Sequence, residues 1–322
     1  MTIARRTLLG ALPLLAAPAT LRAQPAWPNR AVRLVVPFTG GGATDVTARV
    51  IAERLQQALG QPVVIDNRPG AGGNIGAELV AKSDDGHTLL MTTIGTASIN
   101  QFLYSRMPFR QTDLQAVALV NLVANGILVS SNVPANTLQE LVALAKRDPG
   151  GLSYGTPGNG TSGHLCAELL KVRTGIDLLH VPFRGSAGVI PELMAGRLQV
   201  AIDNLPPYLP YVREGRMKLL AVTSRERWFA APDAPTAMEA GVEGFEAVAW
   251  FGIQAPARMP RAQVERLASL TLAACAEPAV LTRLRDVGSE PHPLGPAEFQ
   301  RFIEAENVKW QEVVRVSGAH LD

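Results

Sequence analysis

Apolar and polar positions change period in blocks along the chain. Val32 to Val36 (VRLVV) is a short β-branched run of the kind that forms a strand buried on both faces. Beyond the glycines at 40–42, Val46, Val50, Ile51, Leu55 and Leu59 line one broad side of a predicted helix that Gly60 ends. A strand at 63–65, a turn-rich loop NRPGAGGN at 67–74, a helix to about 82 and a strand at 88–92 follow. Strands alternating with helices at this spacing predict a parallel sheet covered on both faces.

The apolar stretch 116–130, which contains Asn121 and Asn125, separates this block from a second one. There the pattern predicts a helix at 137–147, with Asn136, Thr137 and Glu140 as a capping arrangement. A strand at 152–155 leads into a second glycine-rich loop and a helix to about 174. Strands at 178–181 and 198–203, a helix at 187–193 and a further helix and strand to about 223 complete the block. A strand at 247–254 and helices from Arg261, Pro278 and Pro296 close the chain. One module, a strand followed by a glycine loop and a helix, therefore occurs in each half. Ligands of open α/β sheets bind beyond the carboxyl ends of the strands, so two such sheets face to face place both loops on opposite walls of one cleft.

The first residues, MTIARRTLLGALPLLAAPATLRAQPAWP, show a basic pair, a short apolar stretch and small residues, which is the layout of an export signal. The apolar stretch falls short of a bilayer span. Cleavage is expected after Ala23, with Ala19 as the alternative, and Arg5-Arg6 resembles a twin-arginine signal as well as an ordinary Sec signal. Removal of 1–23 leaves 27 basic against 28 acidic residues, and no basic tract is present, which argues against nucleic acid as a partner. The remaining 299 residues reach the size at which one core gives way to two lobes. Cys166 and Cys275 lie far apart in helical patterns, so a disulfide is possible in an oxidising compartment but a pair of inert buried thiols is the favoured reading.

Neither glycine loop is a nucleotide fingerprint. Read as G-x-G-x-x-G from Gly40, the first has Asp45 where the third glycine belongs. The second matches at Gly158, Gly160 and Gly163, but its strand is short and no acidic residue is clearly placed about 20 positions on. No G-K-[ST] follows either loop. What remains is a helix N-terminus with free N–H groups, which attracts an anion. Asp45 either caps its helix or faces the cleft, where it opposes a dianionic phosphate more than a carboxylate. Ser162 and His164 point in different directions at a helix start and G-x-S-x-G is absent, so Ser162 reads as a helix cap. The five histidines show no metal-ligand spacing. Asp203 and Asn204 end a strand, where they either begin a turn or reach a ligand.

From Trp27 onward the chain resembles the Bug-type extracytoplasmic solute receptors of tripartite tricarboxylate transporter systems. The resemblance runs through WPNRAVRLVVPF, GGATD, VVIDNRPGAGGNIGAE, LLMTTIGT, LSYGTPGNGTSGHL, HVPFRGSA, DNLP, LAVTS and AWFGIQAPA. Gly40 stands where the family has proline, and Phe183-Arg184-Gly185 where it has Tyr-Lys-Gly. The resemblance implies an α/β, two-lobe periplasmic-binding-protein fold of type II-like form, with two parallel-rich sheets flanked by helices and a ligand cleft between the lobes. It implies a first lobe of 24–124 plus 245–322 and a second of 125–244. It also implies that a small carboxylate, whether a dicarboxylate, an amino acid or an aromatic acid, is held partly through water. One wall is then Phe38, Thr39, Gly41, Gly42, Ala43 and Asp45. The other is Gly155, Thr156, Gly158, Asn159, Gly160, Thr161, Ser162 and His164, completed by Arg184, Gly185, Asp203 and Asn204.

The expected protein is thus a periplasmic, monomeric binding protein without catalytic activity, cofactor or metal, whose partners are a small organic carboxylate and a tripartite tricarboxylate-type permease or sensor. The competing expectation from another class is an exported α/β enzyme acting on a small carboxylic acid.

Overall fold

A computed structural model describes residues 27–322; the export-signal expectation for 1–23 lies outside the described residues. The chain runs β1 (Val32–Val36), α1 (Ala43–Leu59), β2 (Val63–Asn67), α2 (Asn74–Ala81) and β3 (Thr88–Thr93). A π-helical turn (Gly95–Ile99) and α3 (Asn100–Leu103) lead to β4 (Leu114–Ser130). Then come α4 (Leu138–Arg147), β5 (Ser153–Thr156), α5 (Ser162–Thr174), β6 (Leu179–Pro182), α6 (Ser186–Met194) and β7 (Val200–Asn204). A 3-10 turn (Pro206–Tyr208), α7 (Leu209–Arg213) and β8 (Met217–Val222) precede β9 (Val248–Pro256), α8 (Arg261–Ala276), α9 (Pro278–Asp286), β10 (Glu290–Leu294) and α10 (Pro296–Ser317).

Ten strands form one curled mixed sheet in the order β2-β1-β3-β9-β4-β7-β5-β6, with β8 and β10 also paired to β4. The outer strands are parallel, as the alternation of strands and helices predicts. The central pairings of β3, β4, β7, β8, β9 and β10 are antiparallel. The apolar stretch that separates the two sequence blocks is the strand that unites them: β4 pairs with β9 from Leu114 to Ala124, and with β7 from Asn125 to Val129. The two expected sheets thus share a strand. The chain returns beside the same point, where Thr223 N–H donates to the Asn125 carbonyl at 3.0 Å and Ala247 N–H to the Thr223 carbonyl at 2.9 Å.

Local chemistry accounts for the element ends that matter to the cleft. Gly60 closes α1 in the left-handed region at φ 65°, its N–H bonded to the Gln56 carbonyl. Thr137 caps α4 through its Oγ, which accepts from Glu140 N–H at 3.1 Å, while the Glu140 carboxylate accepts from Asn136 N–H. Long α10 buries Phe299, Ile303, Trp310 and Val314 and packs on both β4 and α5, spanning the back of the two half-sheets. Among the described residues no single helix is long and apolar enough to cross a membrane.

Candidate functional site

Strands β1, β3, β5, β6 and β7 all deliver their carboxyl ends to one place. The loop after β1 opens α1 at Gly42, the loop after β5 opens α5 at Thr161, and the loop after β6 opens α6 at Gly185. Residues at all three helix starts (Gly42 to Thr44, Thr161 and Ser162, Gly185 and Ser186) line one cavity. Neither Gly42 nor Gly185 has a side chain to satisfy the first N–H groups of its helix, so α1 and α6 present those donors free of a side-chain cap. Three positive helix ends beside one small space favour negative charge there. No lysine, arginine or histidine lines it.

Of the residues expected from sequence, Phe38, Gly42, Ala43, Thr161, Ser162, Gly185, Asp203 and Asn204 line this cavity. Asn125, in the crossing strand, organises two of the polar groups: its side-chain carbonyl accepts from Ser162 Oγ at 2.9 Å and from Asn204 Nδ2 at 2.8 Å. The cap of α5 is Thr161, whose Oγ accepts from His164 N–H at 3.3 Å, and not Ser162 as the sequence suggests. That displacement by one residue frees the Ser162 hydroxyl for Asn125. Ser162 and His164 form no dyad, because His164 Nδ1 accepts from the Gly160 N–H at 3.3 Å.

The other expected residues stand behind or outside the cavity. Asp45 is buried and turned away, with its carboxylate accepting from the Gly41 N–H at 3.0 Å, Asn67 Nδ2 at 3.0 Å and the Arg49 guanidinium at 2.8 Å. Burial opposes its charge, but these donors outweigh it and hold the carboxyl below the usual range. Asp45 is therefore a brace for the first glycine loop. Thr39 contributes its backbone N–H, which donates to the Arg184 carbonyl at 3.3 Å from the other wall. Gly155 and Thr156 lie in β5 beneath the second loop. Gly158, Asn159 and the exposed Arg184 rim an outer recess together with Phe38.

Sequence reading missed the contributions of Thr93, Ile94 and Gly95 at the end of β3, of Ser186 in the first turn of α6, and of Ala249 and Phe251 in β9, while Thr44 and Pro157 fall within the two loop stretches it marked. The rule that ligands gather at strand carboxyl ends points to Thr93. Phe251 carries no such signal, since it enters only because β9 crosses the middle of the sheet.

The walls are drawn together. Gly72, in the NRPGAGGN loop at φ +61°, lies so close to the Asn159 carbonyl that a β-carbon there would overlap it. Gly160 at φ +77° stands equally close to Asn100 Oδ1. The cavity measures about 30 Å³, room on the order of one or two waters. Ligand entry requires the walls to part.

Beneath the second loop, His164 stacks on His180 at 4.5 Å and His180 on Tyr154 at 4.6 Å. Burial pushes His164 down to about 4 and, with neighbouring His164, pushes His180 down to about 3, so both rings are neutral. Among the described residues no cluster of side chains is suited to a metal ion.

A family model described as "Tripartite tricarboxylate transporter family receptor" matches residues 47–319. The fold superposes on R. palustris Rpa4515 solved with adipate at a TM-score of 0.89, with 39% identity over 92% of this chain and 100% of that one. It superposes on MatC (Rpa3494) from Rhodopseudomonas palustris with bound malate at 0.86, with 32% identity over 89% of this chain and 100% of that one. For the periplasmic binding protein BugD the TM-score is 0.88, with 31% identity over 92% of this chain and 100% of that one. This chain belongs to the tripartite tricarboxylate transporter receptor family, the Bug-type solute-binding receptors, whose solved members include periplasmic binding proteins.

Proposed function

We propose that this protein captures a small organic carboxylate in the cavity between its two half-sheets, in the periplasm, and does so without transforming it. The observation that carries the reading is the convergence of three helix N-termini on one cavity lined by no cationic side chain. Backbone dipoles suit a carboxylate there, and the adipate- and malate-bound relatives share the fold. The working unit is a monomer of two lobes, 24–124 plus 245–322 and 125–244, after removal of an export signal at 1–23. Its hinge lies where β4 passes Asn125 and where the chain returns between Thr223 and Ala247. The ligand favours the closed form because only there does it touch both walls. A tripartite tricarboxylate-type permease or a sensor receives the closed form.

A thermal-shift screen of small mono- and dicarboxylates, with adipate and malate included, tests this reading, followed by calorimetry of every hit. The expected result is saturable stabilisation by at least one carboxylate, with the acid recovered chemically unchanged. Stabilisation by none, or conversion of a bound acid, defeats it.

A further inference from the structure

The cavity that presents three positive helix ends also contains a carboxyl group. Asp203, the penultimate residue of β7, is 1% exposed and is the one titratable side chain lining the cavity. Its Oδ2 accepts from Tyr208 Oη at 2.7 Å and its Oδ1 from the Asn204 N–H at 2.6 Å. The Ser186 hydroxyl, on the opening turn of α6, lines the same cavity and favours the charged form of Asp203. All of these partners are neutral. From the adjoining strand β4, Gly126 is in register with it; from α5, the backbone of Gly163 packs on it; from β9, Ala249 and Phe251 share the cavity with it. Tyr208 is the titratable group that faces it, and burial beside Asp203 keeps that phenol protonated. On the opposite wall, Asp45 and Arg49 are paired to each other and turned away. Asp203 therefore has no counter-ion.

A ligand carboxylate seated at the helix ends enters the same small space. Two like charges in one small, largely buried site without an intervening cation oppose each other, and the usual resolution is that one of them holds a proton. The ligand's charge is compensated by the helix ends, whereas that of Asp203 is compensated by neutral donors alone, so Asp203 is the group that yields.

We propose that carboxylate capture by this protein is proton-linked through Asp203: the carboxyl is protonated in the closed complex, so each ligand bound takes up a proton wherever Asp203 was ionised beforehand. The inference rests on the reading that the cavity takes a carboxylate. It extends that reading by naming the group that makes the affinity depend on pH. Burial already pushes the Asp203 carboxyl up to about 7 before any ligand arrives, opposed in part by Tyr208, Ser186 and the Asn204 N–H, so the linkage falls near neutral pH.

The test is isothermal titration with adipate between about pH 6.5 and 8.5, where adipate stays fully ionised, in pairs of buffers of different ionisation enthalpy. The expected result is affinity that weakens about twentyfold across this range, with buffer-dependent heats that report proton uptake approaching one at the alkaline end. Asp203→Asn is expected to bind with affinity that is flat across the same range and with no proton uptake. If that variant fails to fold, the wild-type heats decide alone. Binding of adipate that is pH-independent, that tightens as pH rises, or that keeps its slope in Asp203→Asn overturns the inference and leaves carboxylate capture standing. If adipate does not bind, the same titration is run with each acid that stabilises the protein. Absence of binding by every acid at every pH defeats the carboxylate reading and takes this inference with it.

Discussion

The side-chain carbonyl of Asn125 accepts a hydrogen bond from Ser162 Oγ at 2.9 Å. One partner sits at the point where β4 passes from one half-sheet to the other, and the second sits in the first turn of a cavity-lining helix. Asn204 Nδ2 donates to the same oxygen at 2.8 Å, so the crossing strand holds a loop end and a strand end in one arrangement. Asn125→Ala removes the acceptor for both. Each bond is worth about 1 kcal/mol, which predicts about ten- to thirtyfold weaker binding together with a small loss of thermal stability. Calorimetry on the variant checks this, and unchanged affinity would show that Asn125 merely fills space.

On the proposed reading, closure depends on the backbone of one wall meeting that of the other. At Gly72 the left-handed φ and the Asn159 carbonyl leave no room for a β-carbon, so Gly72→Ala keeps the two walls apart. The expected outcome is at least hundredfold weaker binding, because affinity in a closing receptor is reduced by the fraction of molecules able to close. Small-angle scattering is expected to show the open form even with ligand added. A variant that contracts normally on ligand addition would remove Gly72 from the closing contact.

The two modules built around α1 and α5 were legible in sequence because each combines a β-branched run, glycines and a 3.6-residue period. Strand β10 was not, because its sequence, Glu290-Pro291-His292-Pro293-Leu294, holds two prolines and forms a strand only by pairing with β4 at Leu119, Asn121 and Leu122. The π-helical turn at Gly95–Ile99 likewise follows from what surrounds it. At the site, a sequence can show which loops carry glycine, but Ser186, Thr93 and Phe251 meet only after both half-sheets are assembled. Asp45, left open between capping its helix and facing the cleft, carried a further signal in the sequence. The D-x-x-x-R spacing to Arg49 marks an i,i+4 ion pair, which turns the carboxylate along its own helix and away from the cleft.

Cys166 and Cys275 are free and fully buried, and burial pushes both thiols up to about 12. Thiolate is the reactive form. Native protein is therefore expected to give essentially no reaction with a thiol reagent over an hour, and two equivalents once denaturant is added. Reductant is expected to leave the melting temperature unchanged. Rapid labelling of either thiol in the native protein would contradict the burial described for it.

Acid is expected to loosen the second glycine loop before it reaches the rest of the fold. His164 accepts the Gly160 N–H at Nδ1, so its ring must be neutral there, and His180 contacts Thr156 Oγ1 through Nε2 at 2.8 Å. Burial lowers both imidazoles. The nearby Glu168 opposes this at His164, whereas Lys171 reinforces it at both rings. A folded-state value near 4 or 3 lies below the unfolded value of about 6.5. The stability from keeping these rings neutral is therefore complete above about pH 6.5 and is lost as pH falls toward 4, at up to about 1.4 kcal/mol per pH unit for each ring. Asp203, raised to about 7, works in the opposite sense: its buried neutral form adds stability as pH falls from 7 toward 4 and offsets about one of the two rings. Urea unfolding of unliganded protein at pH 7, 5.5 and 4.5 should thus show a net decline corresponding to about one proton. Asp203→Asn should steepen that decline to about two, and His180→Gln should bring it close to zero. Identical slopes in all three proteins would mean that neither the stacked histidines nor Asp203 governs the acid limb.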